Sequence, residues 1–461
     1  MSKYRTPGVY IEEIPSFPPS VAQVETAIPA FIGYTEKGPD EPTRISSMVE
    51  YRNLFGGPDN EIGKFEIKND NSIESPGIPT TPKYRLYYTL EIFFANGGGD
   101  CYIISVGNYN GGIDNDKLST GLKLLNKEDE PTLILFPDGY EDPYELYKDA
   151  LTQCADRKDR FLICDVKHVA EDTNPVRKSA EEFRDGIGSN DLMFGAAYYP
   201  NLTTTMSHQY NEDEISVEVE GNGDVQVLRH SDETIRSDDE KSKESLYHAD
   251  NGNFREKYNR IKKKIDSVRL ILPPSGAIAG VYARVDNSRG VWKAPANVSL
   301  NRVSAPEVKI DDNDQKDLNV TQSGKSINAI RSFKGKGVLV WGARTLAGND
   351  NEWRYVPVRR FFNMVEESAK NASERFVFEP NNADTWMKVK SMIENYLTTL
   401  WRSGALMGAK PEEAFFVKVG LGETMSAEQI LEGQMIVEIG MAVVRPAEFI
   451  ILRFSHKMME S

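Results

Sequence analysis

The chain has 461 residues, 39% of them hydrophobic and 27% charged, with a formal net charge of -15. That length exceeds a single core and predicts about three packed units. The excess of acid argues against nucleic acid as a partner, because phosphate binding needs a basic footprint. Three scattered cysteines do not make a disulfide framework and fit a reducing compartment. No apolar run is long enough to span a bilayer, and the N-terminal residues lack a signal core. Export through a signal peptide and direct membrane insertion are therefore not expected.

In chain order, the first signal is Val9, Tyr10 and Ile11, β-favouring residues fenced by Pro7 and Pro15. Residues 16–20 read as an extended linker. A short apolar strand between prolines has no local partner, so it must pair far along the chain or on another chain. From 27 to 199 strands and helices alternate. Strands are predicted over 28–34, 101–106, 132–136, 161–166 and 192–199, and helices over 82–96, 144–157 and 175–187. This alternation predicts a layered α/β domain with a largely parallel sheet.

Residues 203–255 break the order. Between Thr205 and Asp250 there are 13 acids against 4 bases, which predicts an exposed insertion. Within it Ile215, Val217 and Val219, then Val225 and Val227, flank Gly221-Asn222-Gly223, the pattern of a hairpin with an Asn-Gly turn. A surface loop without a role is the alternative reading. A helix follows from 254 toward 272. Next comes a small-residue helix over 277–284, where Gly and Ala allow close approach by another backbone. A strand is predicted over 338–341. Pro357 opens a helix running to about 370, with Val358, Phe361, Phe362 and Val365 on one face. Asp384 is the predicted N-cap of a further helix that Gly404 ends, and Trp386, Val389, Ile393, Leu397 and Leu400 form its apolar stripe. The remainder reads as strand over 414–419, 434–444 and 447–454. An apolar extended segment such as the last typically adds to a sheet edge.

Four groups of residues invite a chemical reading. Gly97-Gly98-Gly99 follows a helix and precedes a strand, the reverse of a phosphate loop, and reads as a helix stop. Cys164, Asp165 and His168 could form a thiol site, but a core cysteine beside a strand-end aspartate is favoured. The five histidines show no metal-ligand spacing, and His208, His230 and His248 in the acidic stretch read as solvated. Asp311-Asp312-Asn313-Asp314 resembles half a calcium loop without its glycine or distal glutamate, and reads as a solvated acidic turn. No nucleophile–base–orienter set can be assembled, so no catalysis, cofactor or metal is expected.

Several stretches, taken together and in order, resemble the contractile tail sheath proteins of phages and phage-like injection systems. They are Thr6-Pro7-Gly8-Val9-Tyr10-Ile11-Glu12-Glu13; Pro29-Ala30-Phe31-Ile32-Gly33-Tyr34; and Pro274-Ser275-Gly276 through Arg289-Gly290-Val291-Trp292-Lys293-Ala294-Pro295. Trp341-Gly342-Ala343-Arg344-Thr345-Leu346, Phe378-Glu379-Pro380-Asn381 and Leu400-Trp401-Arg402-Ser403-Gly404 continue the set. The likeness thins between about 40 and 270.

The resemblance implies layered α/β sheath domains with extended N- and C-terminal β-arms exchanged between subunits. The divisions expected are an arm over 1–20, an outer and middle domain over 21–272, an inner domain over 273–445 and an arm over 446–461. Subunits would stack as hexameric rings around an inner tube and contract to drive it through a target envelope, with baseplate and terminal cap proteins as further partners. Val9, Tyr10 and Ile11 would form one arm, and Phe449, Ile450, Ile451, Leu452 and Phe454 the other. Phe416, Val417, Val419, Ile436, Val437 and Ile439 would supply the receiving sheet edge. Lys388, Lys390 and Arg402 are candidates for tube contact. Arg359 and Arg360 compete with them, or form ion pairs inside the inner domain. The rival readings are an α/β hydrolase-like enzyme and a surface adhesion module.

Overall fold

The computed structural model describes residues 20–68, 72–74, 78–170, 172, 174–219, 225–229, 245–247 and 252–453. The alternating stretch builds a nine-stranded sheet. Its order is Val298–Ser299, Gly337–Val340, Ile327–Phe333, Gly195–Tyr199, Phe161–Asp165, Leu133–Leu135, Pro29–Gly33, Cys101–Ser105, Thr43–Ile45. The six strands from Ile327–Phe333 to Cys101–Ser105 are parallel, and those outside them are antiparallel. Helices cover both faces, which is why the central strands read as unbroken apolar runs. Phe31, Ile103, Leu133 and Ile163 face the helices Leu86–Ala95 and Ser275–Arg289. Ala30, Ile32, Ile104 and Leu162 face Asn115–Leu125, Tyr144–Arg157 and Pro175–Gly186.

The helices Met48–Phe55 and Asn115–Leu125 are not anticipated by the sequence reading. In the second, Gly121 weakens the helical signal. Its missing Cβ admits Ile32 and Val106, each of which would lie 2.7 Å from an added methyl. The chain forms two compact units, residues 25–363 with 445–461, and 1–24 with 364–444. The sequence places a boundary at 272/273 instead. Strands beyond that point, Ile327–Phe333 and Gly337–Val340, complete the sheet that Pro29–Gly33 begins.

Two buried carboxylates tie helices to the sheet. Asp138, just past Leu133–Leu135, accepts from the amides of Tyr34 at 2.7 Å, Arg85 at 2.5 Å and Leu86 at 3.2 Å. These bonds start the predicted 82–96 helix at Leu86 and satisfy its otherwise unpaired amides. Gly33 makes room for them, since a Cβ there would lie 2.5 Å from the Asp138 Oδ2. Asp165, at the end of Phe161–Asp165, accepts from the Ser275 amide at 2.8 Å and its hydroxyl at 2.6 Å. The two helices so anchored then pack together through Gly276 and Gly280. Added methyls there would approach the Thr89 and Phe93 carbonyl oxygens to 2.6 and 2.5 Å.

Two strands of the acidic stretch pair antiparallel as predicted, with Ser216 opposite Val227 and Glu218 opposite Val225, and the Gly221-Asn222-Gly223 turn lies outside the described residues. The stretch is more than an exposed loop. Ser216–Val219 also pairs in parallel with Phe65–Ile67. A separate small core of Phe65, Ile67, Ile215, Val217, Leu228, Leu246, Tyr258, Ile261 and Ile265 closes beneath the helix Gly252–Ser267. His208 is correspondingly buried rather than solvated, 2.6 Å from the Pro79 carbonyl oxygen, and burial lowers its pKa. His230 and His248 lie outside the described residues. Asp311-Asp312-Asn313-Asp314 is a capping box opening the helix Asp312–Asn319, not a free turn.

In the second unit Asn382, not Asp384, caps the helix Ala383–Arg402, accepting from the Thr385 amide at 3.1 Å. Gly404 takes the left-handed position beyond it, at φ 84°. Val389, Ile393, Leu397 and Leu400 of the predicted stripe are buried, joined by Met392. The expected strand over 434–444 shrinks to Glu438–Met441, and residues 447–453 form no ladder among the described residues.

Gly280→Ala should destabilise the protein by about 1–3 kcal/mol, despite alanine's better helix propensity, because the methyl meets backbone. Urea unfolding measures this. Asp165 gives a pH signature. Burial pushes its carboxyl up to about 7, only partly offset by the Ser275 hydrogen bonds. A folded-state pKa above the unfolded one means the contribution is present at low pH and lost as pH rises through about 7. Asp165→Asn should therefore flatten the stability difference between pH 6 and pH 8 by about 1 kcal/mol, in the sense that wild type gains more on acidification.

Candidate subunit interface

The strands Phe415–Lys418 and Glu438–Met441 pair antiparallel, with Val417 opposite Ile439 and Phe416 opposite Gly440. Two strands fall short of the three or more that an independent sheet needs. Val417 and Val419 are buried in their unit's core, so they hold the ribbon in place and present only backbone to a partner. Phe416 is 44% exposed, and its ring lies across Gly440, where a Cβ would come within 2.2 Å of it. The Lys418 ammonium sits 4.8 Å from the ring centroid. Ile439 is half-buried. Ile436 and Val437 precede the strand rather than joining it, because the Ile436 carbonyl accepts from the Thr424 hydroxyl at 2.7 Å.

The other half of the predicted interface begins at Glu448. Its carboxylate receives Arg344 Nη2 at 2.6 Å, Arg344 Nε at 2.9 Å, Asn319 Nδ2 at 2.8 Å and the Tyr355 hydroxyl at 3.2 Å. Burial alone would raise this carboxyl, but the hydrogen bonds from Arg344 and Asn319 hold it below the usual carboxylate range. Beyond it, Phe449, Ile450, Ile451 and Leu452 are 69–79% exposed. Val9, Tyr10, Ile11 and Phe454 lie outside the described residues. Val24, downstream of the first arm, donates its amide to the Ser368 hydroxyl at 3.1 Å.

Of the candidates for tube contact, Lys388 and Arg402 are exposed and Lys390 is half-buried on the helix Ala383–Arg402. None of the three forms an ion pair among the described residues. Arg359 and Arg360 are different. Both are buried, which removes them from any surface. Arg360 pairs with Asp286 at 2.5 Å, donates to the Thr26 carbonyl at 2.8 Å and stacks on Tyr282. Arg359 donates to Asn363 Oδ1 at 2.7 Å and stacks on Trp353. Arg360 thus forms an ion pair inside the chain, whereas the bond from Arg359 to Asn363 is to a neutral amide. A residue the sequence reading assigns no role is Phe378, wholly exposed in a left-handed backbone at φ 70°. Neighbouring Val377 is exposed as well.

Among the described residues no cluster of His, Cys, Asp or Glu could hold a metal ion, and no helix is long and apolar enough to cross a membrane. Cys101, Cys154 and Cys164 are buried, and burial pushes each thiol up. His168 Nδ1 contacts the Tyr199 hydroxyl at 2.9 Å.

Residues 144–346 match the family model for the phage tail sheath protein central domain, and residues 348–457 match that for the phage tail sheath C-terminal domain. The chain is 32% identical to a chain of the PVC sheath complex, an extracellular contractile injection system in its contracted state, with a TM-score of 0.67 over 99% of both. The chain belongs to the contractile tail sheath family. This sheath subunit is also 33% identical to a chain of the anti-feeding prophage helical sheath in its contracted state, with a TM-score of 0.66, covering 98% of this chain and 100% of that one. It is 27% identical to the tail sheath protein of Enterobacteria phage T4 over 154 residues, 33% of this chain and 22% of that protein. The chain thus matches less than a quarter of the phage T4 protein's length.

Replacing one member of the buried Arg360–Asp286 pair strands a charge. Asp286→Ala is expected to cost about 3–5 kcal/mol in urea unfolding of the isolated subunit. If Arg360 were instead a surface contact for a tube, the variant would unfold like wild type.

Proposed function

We propose that this sheath subunit polymerises by lending both chain ends to sheets of neighbouring copies, stacking as hexameric rings in a helical lattice around an inner tube. The observation that carries the reading is the run Phe449 to Leu452, four large apolar residues in succession, exposed and without a ladder among the described residues. The ribbon of Phe415–Lys418 and Glu438–Met441 lacks a third strand among the described residues. Strand addition satisfies both deficits at once through main-chain hydrogen bonds. Between identical copies such a contact is heterologous and grows into helices when it does not close.

Contraction then drives the tube through a target envelope. The energy is stored at assembly in a metastable extended lattice that relaxes to a more stable one. Baseplate and terminal cap proteins bound the lattice, and the exposed Lys388 and Arg402, with the half-buried Lys390, are cations that an acidic tube could meet. The subunit acts mechanically and not as an enzyme. Brought up in support is the crevice at the strand ends, where open α/β enzymes hold their ligands. Here Asp138 and Asp165 sit at two of those strand ends and take up the amides of Arg85, Leu86 and Ser275, which would otherwise be free to meet an anion. The subunit is made in the bacterial cytoplasm and works as part of a phage tail or injection particle, without inserting into a membrane or binding nucleic acid.

Ile450→Asp and deletion of residues 1–15 are the tests. Both should leave subunit melting unchanged while long tubes disappear from electron micrographs. Tubes of wild-type length from either protein would defeat strand exchange. A monomeric wild-type protein would favour an adhesion module.

A further inference from the structure

We propose that Glu448 is the anchor of the C-terminal arm, the point at which tension along a shared strand is transferred into the central sheet of the subunit that owns the arm. The inference rests on the arm being exchanged between copies. It goes beyond that reading by naming the residues that hold the arm's root.

The geometry has three parts. First, Glu448 is the residue immediately before Phe449, and the described residues beyond it, 449–453, are all exposed. A pull on the exposed run reaches Glu448 before any other side-chain contact. Second, the contact is built to resist pulling. Its carboxylate is held by Arg344 through both Nε and Nη2, by Asn319 and by Tyr355. The paired guanidinium bonds are charge-assisted and fixed in direction, and the Arg344 side chain is only 5% exposed, so water screens them weakly. Asn319 ends the helix Asp312–Asn319 and Tyr355 precedes the helix Val356–Ser373, so the donors come from separate elements.

Third, Arg344 is itself tied down. Its Nη1 donates to the carbonyls of Asn319 at 3.3 Å and Gly348 at 3.2 Å. Its amide donates to Asn328 Oδ1 at 2.8 Å, and the Asn328 amide group donates to the carbonyls of Arg344 at 2.8 Å and Ala197 at 3.1 Å. Asn328 is buried in Ile327–Phe333, and Ala197 in Gly195–Tyr199, two adjacent parallel strands of the central sheet. The path therefore runs from arm to Glu448, to Arg344, to Asn328, and into the sheet, with a hydrogen bond at every junction. Gly342 is required nearby, because a Cβ there would lie 2.7 Å from Asn328 Oδ1.

An ion pair that merely stabilised the subunit would act on folding alone. The anchor acts on polymers of folded subunits, so the two separate by experiment. Three full-length proteins are compared: wild type, Glu448→Gln, and the double variant Asn319→Ala with Tyr355→Phe, which keeps the ion pair and removes two of the four donor contacts. Thermal melting reports the subunit. Mean tube length by electron microscopy, before and after shear, reports the lattice. Well below the melting temperature, Glu448→Gln should give tubes several-fold shorter after shear than wild type, with the double variant between them. Tubes of wild-type length and shear resistance from both variants would overturn the anchor. Should Glu448→Gln fail to fold, the double variant decides alone, and wild-type shear resistance from it overturns the proposal. If wild-type protein itself made no tubes, strand exchange would fall and take the anchor with it.

Discussion

Backbone hydrogen bonding along the short ribbon of Phe415–Lys418 and Glu438–Met441 sets the terms for everything else in this protein. A ladder of two strands leaves amides and carbonyls facing outward. Its Val417 and Val419 are already committed to the core of their unit. In the proposed exchange the ribbon offers a neighbour main chain, and the arm brings main chain flanked by large apolar groups. Contacts of that kind survive rearrangement of the surrounding side chains, which suits a lattice whose members must move without separating.

The large sheet serves this arrangement as a scaffold. Six parallel strands with helices on both sides form the scaffold on which many enzymes place a ligand crevice. In this chain Asp138 and Asp165 occupy the strand ends, and the amides of Arg85, Leu86 and Ser275 are spent on them. The same bonds orient the helices Leu86–Ala95 and Ser275–Arg289, whose contact through Gly276 and Gly280 leaves little room for sliding. A body of this kind transmits force with little deformation, as close-packed interiors do.

Much of this was legible in the residues. Tyr144–Arg157 is a helix over the predicted span, and the strands Pro29–Gly33, Cys101–Ser105, Leu133–Leu135, Phe161–Asp165 and Gly195–Tyr199 appear where apolar runs lie between turn residues. The strands Thr43–Ile45, Phe65–Ile67 and Ile73–Glu74 are not predicted. The misses share a cause, which is that tertiary partners are invisible to local patterns. Asp138 lies more than fifty residues from the amides that set the start of Leu86–Ala95. His208 looks solvated among acids until Pro79 is brought beside it. Arg359 and Arg360 read equally as tube contacts or as internal pairs until Trp353, Tyr282 and Asp286 enclose them. In the candidate interface, the apolar run after Glu448 was legible. The bonds on Glu448 were not, because their donors lie 93 to 129 residues upstream.

The small core built from Phe65, Ile67 and the acidic hairpin shares no residue with the two layers that flank the large sheet. Mutations there are therefore screened by a handful of local side chains and not by the scaffold. That separation gives the protein a region where sequence can drift, lengthen or acquire new surface chemistry over generations while the machinery of the rest stays fixed.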